Sequence, residues 1–180
     1  MFEQQGYGCN ICRIIIKPYT RYGFVDHCHR SGKVRGILCQ GCNTGLGHFK
    51  DNTTNLKGAI IYLMEAELEE GESNEEEEEE EEEEESEEEY RPTVEQLKWL
   101  RYTYRLNQTK YIKMFRDQSY ACAICKTEVN PFTLHAHVDH DHRTGKVRGI
   151  LCRHCNLGIG HFRENTGALE NAIRYLTQLG

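Results

Sequence analysis

The sequence predicts a small α+β fold built twice, with an acidic tether between the copies. Three observations predict it. An offset of 113 residues lays 1–67 on 114–180 without a gap, with 35 identities in 67 positions, which marks a tandem duplication. Each copy carries two Cys-x-x-Cys pairs at the spacing C-x2-C-x26-C-x2-C. Between the copies, residues 65–89 hold 19 glutamates and neither Lys nor Arg. The chain therefore divides into a first unit at 1–66, a polyglutamate linker at 67–90 and a second unit at 91–180.

Composition narrows the classes. Of 180 residues, 38% are hydrophobic, so neither half buries a large core. The chain opens Met1-Phe2-Glu3-Gln4-Gln5-Gly6 without an apolar leader, and no run reaches the roughly 20 apolar residues of a membrane span. The expectation is an intracellular protein, in cytoplasm or nucleus and not secreted. In that reducing setting, nine cysteines read as metal ligands before disulfides. The formal net charge of −7 conceals two opposite regions. Without the 19 glutamates, 10 acidic residues face 22 basic ones, a net of about +12. Basic units suit a partner made of phosphates.

Taken in order, the first copy lacks a counterpart to residues 91–113. In the second copy, Pro92 and Thr93 start a helix with Val94, Leu97 and Leu100 at helical spacing. A second helix covers Leu106 to Arg116, with Asn107 or Gln108 near its start. The first Cys-x-x-Cys forms a tight knuckle, and Pro18 or Pro131 marks a turn after it. A strand then ends near Val138-Asp139-His140 (Val25-Asp26-His27). Gly145 makes the turn, and Val147 to Leu151 is the β-branched return strand. Cys155-Asn156 opens a helix. Asn165 or Thr166 caps a last one, with Leu169, Ala172, Ile173 and Leu176 on one face. The polyglutamate run repels itself and reads as a disordered or transiently helical linker.

Cys9, Cys12, Cys39 and Cys42 form one candidate clamp, and Cys122, Cys125, Cys152 and Cys155 the other. Four thiolates in two knuckles suit tetrahedral Zn²⁺, and a closed four-sulfur shell makes that zinc structural. Two structural zinc ions are expected, each supplying folding free energy that a small core lacks.

Each clamp brackets a run of histidine and aspartate. Asp139 and His140 are adjacent on a strand, so their side chains leave opposite faces. The carboxylate suits a hard cation and the imidazole a water. Asn156 follows the last clamp cysteine, so the zinc fixes it relative to the hairpin. A carboxylate plus an amide oxygen suits Mg²⁺ awaiting phosphate oxygens, and histidine titrates near working pH. The first copy repeats the set as Asp26, His27 and Asn43.

The combination C-x-x-C, D-H-D-H-x-T-G-K-V-R-G-I-L-C-x-x-C-N, then G-x-G-x-F and a terminal helix resembles the phage recombination endonuclease VII family. That family lies within the His-Me finger, or ββα-metal, nucleases. The resemblance covers about 104–178 and 1–64. It implies two zinc-stapled ββα-metal units forming a metal-dependent endodeoxyribonuclease that cleaves branched or distorted DNA. By resemblance, Asp139 and Asn156 (Asp26 and Asn43) bind a divalent metal, Mg²⁺ or Mn²⁺, at up to two catalytic sites. His140 (His27) is the general base, and His142 (His29) contacts the scissile phosphate or supports the site. Arg148, Lys146 and Arg143, with Arg35, Lys33 and Arg30, are the expected phosphate contacts. The copies would pair as an intrachain pseudo-dimer or the chain as a homodimer. Cys28 stands where the second copy has Asp141, and Leu46 and Ile159 stand where the best-known member has a glutamate. His48 and His161 are either phosphate contacts or packed side chains. No role falls to His135, His137 or His154. The alternative reading is a non-catalytic zinc-stabilised module that binds nucleic acid.

Overall fold

The computed structural model describes residues 1–18, 20–68, 93–131 and 135–178. The expected polyglutamate linker beyond residue 68, and Pro92, lie outside these residues. The first copy contains strands β1 (Gly23–His27) and β2 (Val34–Cys39) and helices α1 (Gln40–His48) and α2 (Thr53–Leu68). The second contains α3 (Val94–Tyr104), α4 (Gln108–Asp117), β3 (Ala136–His140), β4 (Val147–Cys152), α5 (Arg153–His161) and α6 (Thr166–Gln178). This is the α+β class expected, with each sheet a two-stranded antiparallel hairpin. None of the described helices is long and apolar enough to cross a membrane.

Local chemistry accounts for the element ends. Thr93 and Gln96 form a capping box at the start of α3, and the Asn107 side chain caps α4. Asn165 accepts from the Ala168 N–H at 2.7 Å, and Asn52 from the Thr54 N–H at 2.8 Å, so both terminal helices start on an asparagine. Helix α1 begins earlier than the sequence suggests, because the Cys39 sulfur itself caps it by accepting from Cys42 N–H. In α6 the buried face is Ala168, Leu169, Ala172 and Tyr175. Tyr175 thus takes a place expected for Ile173 and Leu176.

The two hairpins are built alike. Gly32 and Gly145 sit at φ +70° and +75° in the connecting turns, a region that favours glycine. Each hairpin carries a register shift at the same point. Asp26 pairs with Gly36 and His27 with Val34, so Arg35 is the extra residue of a bulge. Asp139 pairs with Gly149 and His140 with Val147, which leaves Arg148 in that position. A glutamine ties each knuckle to its return strand. Gln5 Oε1 accepts from Ile37 N–H at 2.9 Å and its amide donates to Ile37 O at 3.0 Å. Gln118 does the same at Ile150, at 2.8 Å and 2.8 Å. These bonds satisfy backbone groups at the outer edge of the return strand.

The compact units do not follow the sequence copies. One unit joins Met1–Met64 to Arg153–Gly180, and the other is Glu65–Cys152. In the first unit, α5 and α6 from the second copy pack with the first copy's hairpin and α1. Glycines permit the α1–α5 contact. A Cβ on Gly45 would lie 2.6 Å from the Phe162 ring, and one on Gly158 would lie 2.7 Å from the Phe49 ring. Phe49 and Phe162 are themselves buried, with ring centroids 6.2 Å apart. Asn171 of α6 donates to Ile11 O at 3.1 Å, which links the last helix to the first knuckle. In the second unit, Leu100, Tyr111, Phe115, Val138, Ile150 and Leu151 are buried. Tyr111 and Phe115 meet edge to face at 5.1 Å.

Candidate active site

The cysteines assemble as expected. Ligand atoms of Cys9, Cys12, Cys39 and Cys42 lie within 4.8 Å of one another, as do those of Cys122, Cys125, Cys152 and Cys155. Cys12 Sγ is 3.7 Å from Cys39 Sγ, and Cys125 Sγ is 3.7 Å from Cys152 Sγ. A tetrahedral zinc with Zn–S near ~2.3 Å separates its sulfurs by ~3.8 Å, so the geometry fits. Four thiols this close cannot ionise independently. Hydrogen bonds from Cys39 and Cys42 pull the Cys9 thiol far down, and those with Cys39 and Cys9 push Cys42 far up. A cation there lets all four ionise.

The first copy's site lies wholly within one compact unit. A cavity of about 410 Å³ is lined by Asp26, His27, His29, Asn43, His48, Asp51 and His154, among others. β1 supplies Asp26 and His27, and α1 supplies Asn43 one residue after Cys42. The cysteine cluster therefore positions the amide, and the strand positions the carboxylate and imidazole. Asp26 is buried and His27 exposed. His27 and His29 rings sit 5.0 Å apart.

Asp26 is held by three donors. Arg35 Nε reaches Oδ2 at 2.6 Å and an Arg35 terminal nitrogen reaches Oδ1 at 3.0 Å. The Tyr175 hydroxyl donates to Oδ2 at 2.7 Å from α6, 149 residues away in sequence. Burial, then the Asp26 carboxylate, raises the Tyr175 hydroxyl far above its usual pKa, so it stays a donor. A carboxylate offers about four lone-pair sites, which leaves Asp26 one on Oδ1 for a cation. Arg35 also donates to Asp51 Oδ2 at 2.9 Å. Burial opposes its charge, but the bonds to Asp26 and Asp51 outweigh that and raise its pKa. Two carboxylates around one guanidinium keep a net negative charge, as a metal site requires.

Arg35 and Arg148 were expected as phosphate contacts, yet the structure gives each another task. Their side chains are 5% exposed. Arg148 Nε donates to Asp139 at 2.7 Å, and a terminal nitrogen reaches His140 O at 3.2 Å. The bulge turns each arginine onto the aspartate opposite. Arg30, Lys33, Arg143 and Lys146 are exposed.

Asp51 was missed in the sequence. It lines the cavity, holds Arg35 and approaches His29 Nδ1 at 3.4 Å. The signal was there: the repeat offset sets Asp51 opposite Glu164, two acids that a count of identities overlooks. Leu46 and Ile159, at the family's glutamate position, are core residues 1% exposed.

The second copy repeats the hairpin. Asp139 is buried on Arg148, and His140 and His142 rings lie 4.8 Å apart. Asn156 stands in the first turn of α5, directly after Cys155. Asp141 proves to be a turn residue. Its carboxylate accepts from Arg143 and Thr144 N–H, both at 2.7 Å, and these bonds lower its pKa. Cys28 substitutes in kind. Hydrogen bonds with Ser31 and the turn amides lower its thiol to about 7, so its sulfur faces the same turn groups as the Asp141 carboxylate. His48 and His161 are packed partners, their rings stacked 5.2 Å apart, with His154 5.8 Å from His48.

In the first copy a buried Asp and an exposed His on a bulged hairpin stand beside a four-cysteine cluster and its following Asn, and the second copy repeats the hairpin and a cluster that could hold zinc: the class is that of ββα units in tandem. The family model of recombination endonuclease VII matches residues 1–65 and 97–178, and the chain belongs to that family. The chain is similar to the "Gene 59 protein" of Mycobacterium phage D29, 40% identical over 75 residues, covering 41% of this chain and 45% of that protein. The "Gene 59 protein" of Mycobacterium phage L5 is 37% identical over 75 residues, with the same coverage. The chain thus matches about half the length of these relatives. No solved structure matches it significantly.

Proposed function

We propose that this chain is a metal-dependent DNA endonuclease that prefers branched or distorted DNA. The observation that carries the proposal is the cavity that gathers Asp26, His27, His29 and Asn43 beside the zinc clamp. Asp26 and Asn43 offer two oxygens to a divalent cation, Mg²⁺ or Mn²⁺, and Asp139 and Asn156 offer the same types in the second copy. The bound ion would act as a Lewis acid toward the phosphate and the leaving 3′ oxygen. His27 and His140 are the general bases, each taking a proton from water aligned with the scissile bond. His29 and His142 support the phosphate. Arg35 and Arg148 position their aspartates, and phosphate contact passes to Arg30, Lys33, Arg143 and Lys146. A neighbouring cavity of about 710 Å³ adds Arg30 and Lys50 beside His29 and Asp51, a basic approach for the backbone.

Two sites in one chain suit a junction that needs two cuts, and the seating of α6 on the first hairpin supports an intrachain pairing of the copies. The test is incubation of labelled four-way junction, duplex and single-stranded DNA with the zinc-loaded protein and Mg²⁺. Expected are products with 5′-phosphate and 3′-hydroxyl ends, formed fastest from the junction and abolished by EDTA. DNA binding without cleavage would assign the chain instead to a non-catalytic zinc module.

A further inference from the structure

The chain's only tryptophan stands in the open. Trp99 on α3 is 52% exposed and its neighbour Tyr102 is 85% exposed, while Leu100 alone of that helix is buried. Yet Trp99 is not loose. Its ring meets Tyr104 edge to face at 5.0 Å and 86°. Tyr104 in turn meets the His140 ring at 5.4 Å and 64°. That contact sets the Tyr104 ring beside the His140 side chain. An aromatic ladder therefore runs from the proposed general base to a half-open indole, all within the second compact unit.

The charges on α3 are mostly basic, with Glu95, one turn before Trp99, its single acid. Lys98 and Arg101 are exposed one turn apart on α3, and Arg105 is exposed at its C-cap. Exposed aromatics among cations suit single-stranded nucleic acid: cations follow the backbone while rings stack on bases. A paired duplex hides its base faces, and a branch point or mismatch frees them.

We propose that Trp99, braced by Tyr104, is a stacking platform for an unpaired DNA base beside the His140 site. The platform selects distorted DNA by binding a base face that intact duplex does not offer. This inference rests on the nuclease reading, and it is tested by binding, without reference to cleavage.

Trp99 emission is read from the full zinc-loaded chain in EDTA-free buffer lacking Mg²⁺. Three probes are titrated: an oligo-dT strand, a duplex with an internal unpaired loop, and a fully paired duplex of equal length. Quenching is expected with the first two and not with the third. In fluorescence anisotropy of end-labelled DNA, which needs no tryptophan, Trp99→Ala should weaken binding of the strand and the looped duplex on the order of 10-fold, with paired-duplex binding unchanged. Trp99→Phe should restore most of the loss, which separates stacking from damage to the fold. Equal quenching by all three DNAs, or equal affinities for Trp99→Ala and the intact chain, would overturn the proposal. So would an emission shift with protein concentration in the absence of DNA, which would make this face an interface between copies. If quenching and its loss are seen but no DNA is cut, the platform stands and the nuclease reading falls. If junctions are cut but Trp99 is silent, the reverse holds.

Discussion

Asp26 is held from two elements, the return strand β2 and helix α6. Its two oxygens accept three hydrogen bonds, from Arg35 twice and from Tyr175. A hydrogen bond to a buried charge contributes about 1.5–3 kcal/mol. Tyr175→Phe should therefore lower stability by about that much in urea unfolding, and should slow cutting at the first site while sparing the second. Equal rates at both sites would show that Tyr175 only packs. Asp26, His27 and Asn43 were legible in the sequence because the repeat presents each of them twice. Tyr175 was legible only as a helix residue, since nothing in local spacing reveals a partner 149 residues away. Asp51 was passed over because its counterpart is Glu164. Arg35 reads as a phosphate contact in the sequence because a bulge cannot be seen in an alternating pattern, and the bulge is what turns it inward.

At the scale of elements, the contact between α1 and α5 depends on missing side chains. Alanine usually stabilises a helix interior by about 1 kcal/mol over glycine. At Gly45 and Gly158 the new methyl would meet a buried Phe ring at 2.6 and 2.7 Å, and overpacking costs about 1–3 kcal/mol. Gly45→Ala and Gly158→Ala should thus lower the unfolding midpoint. Gly160→Ala, where a Cβ meets nothing within 4 Å, should raise or preserve it. A uniform response at all three positions would contradict the packing. The same contact stacks His48 on His161. Burial, then the charges of His161, His154 and Arg153, lowers the His48 pKa. A histidine with a depressed folded pKa favours the folded state fully above its unfolded value, near ~6.5, and less as pH falls below it. Thermal midpoints should fall between pH 7 and pH 5, and His48→Gln should flatten that decline. The hairpins, the prelude helices and the asparagine caps could all be read from the sequence, because strand alternation and capping are local. The helix–helix contact could not, because glycine spacing alone names no partner.

At the scale of the molecule, duplication does not mean two separate halves. The repeat at 113 residues is plain in the sequence, but the compact unit built around the first site takes in residues 153–180 as well. The two cysteine clamps hold the hairpins in place, and small units of this kind draw much of their stability from the metal. Chelation at neutral pH should release two zinc ions per chain, with loss of the helical circular dichroism signal. A chain that keeps its signal after losing both ions would show that its core suffices alone. In the proposed mechanism each hairpin histidine serves its own catalytic site. That assignment is tested most directly by mapping the cuts in a strand-labelled four-way junction, with Mg²⁺, for His27→Ala, His140→Ala and the double variant. Paired cuts are expected from the intact chain, single nicks from each single variant and none from the double variant. A double variant that cuts like the intact chain would contradict it.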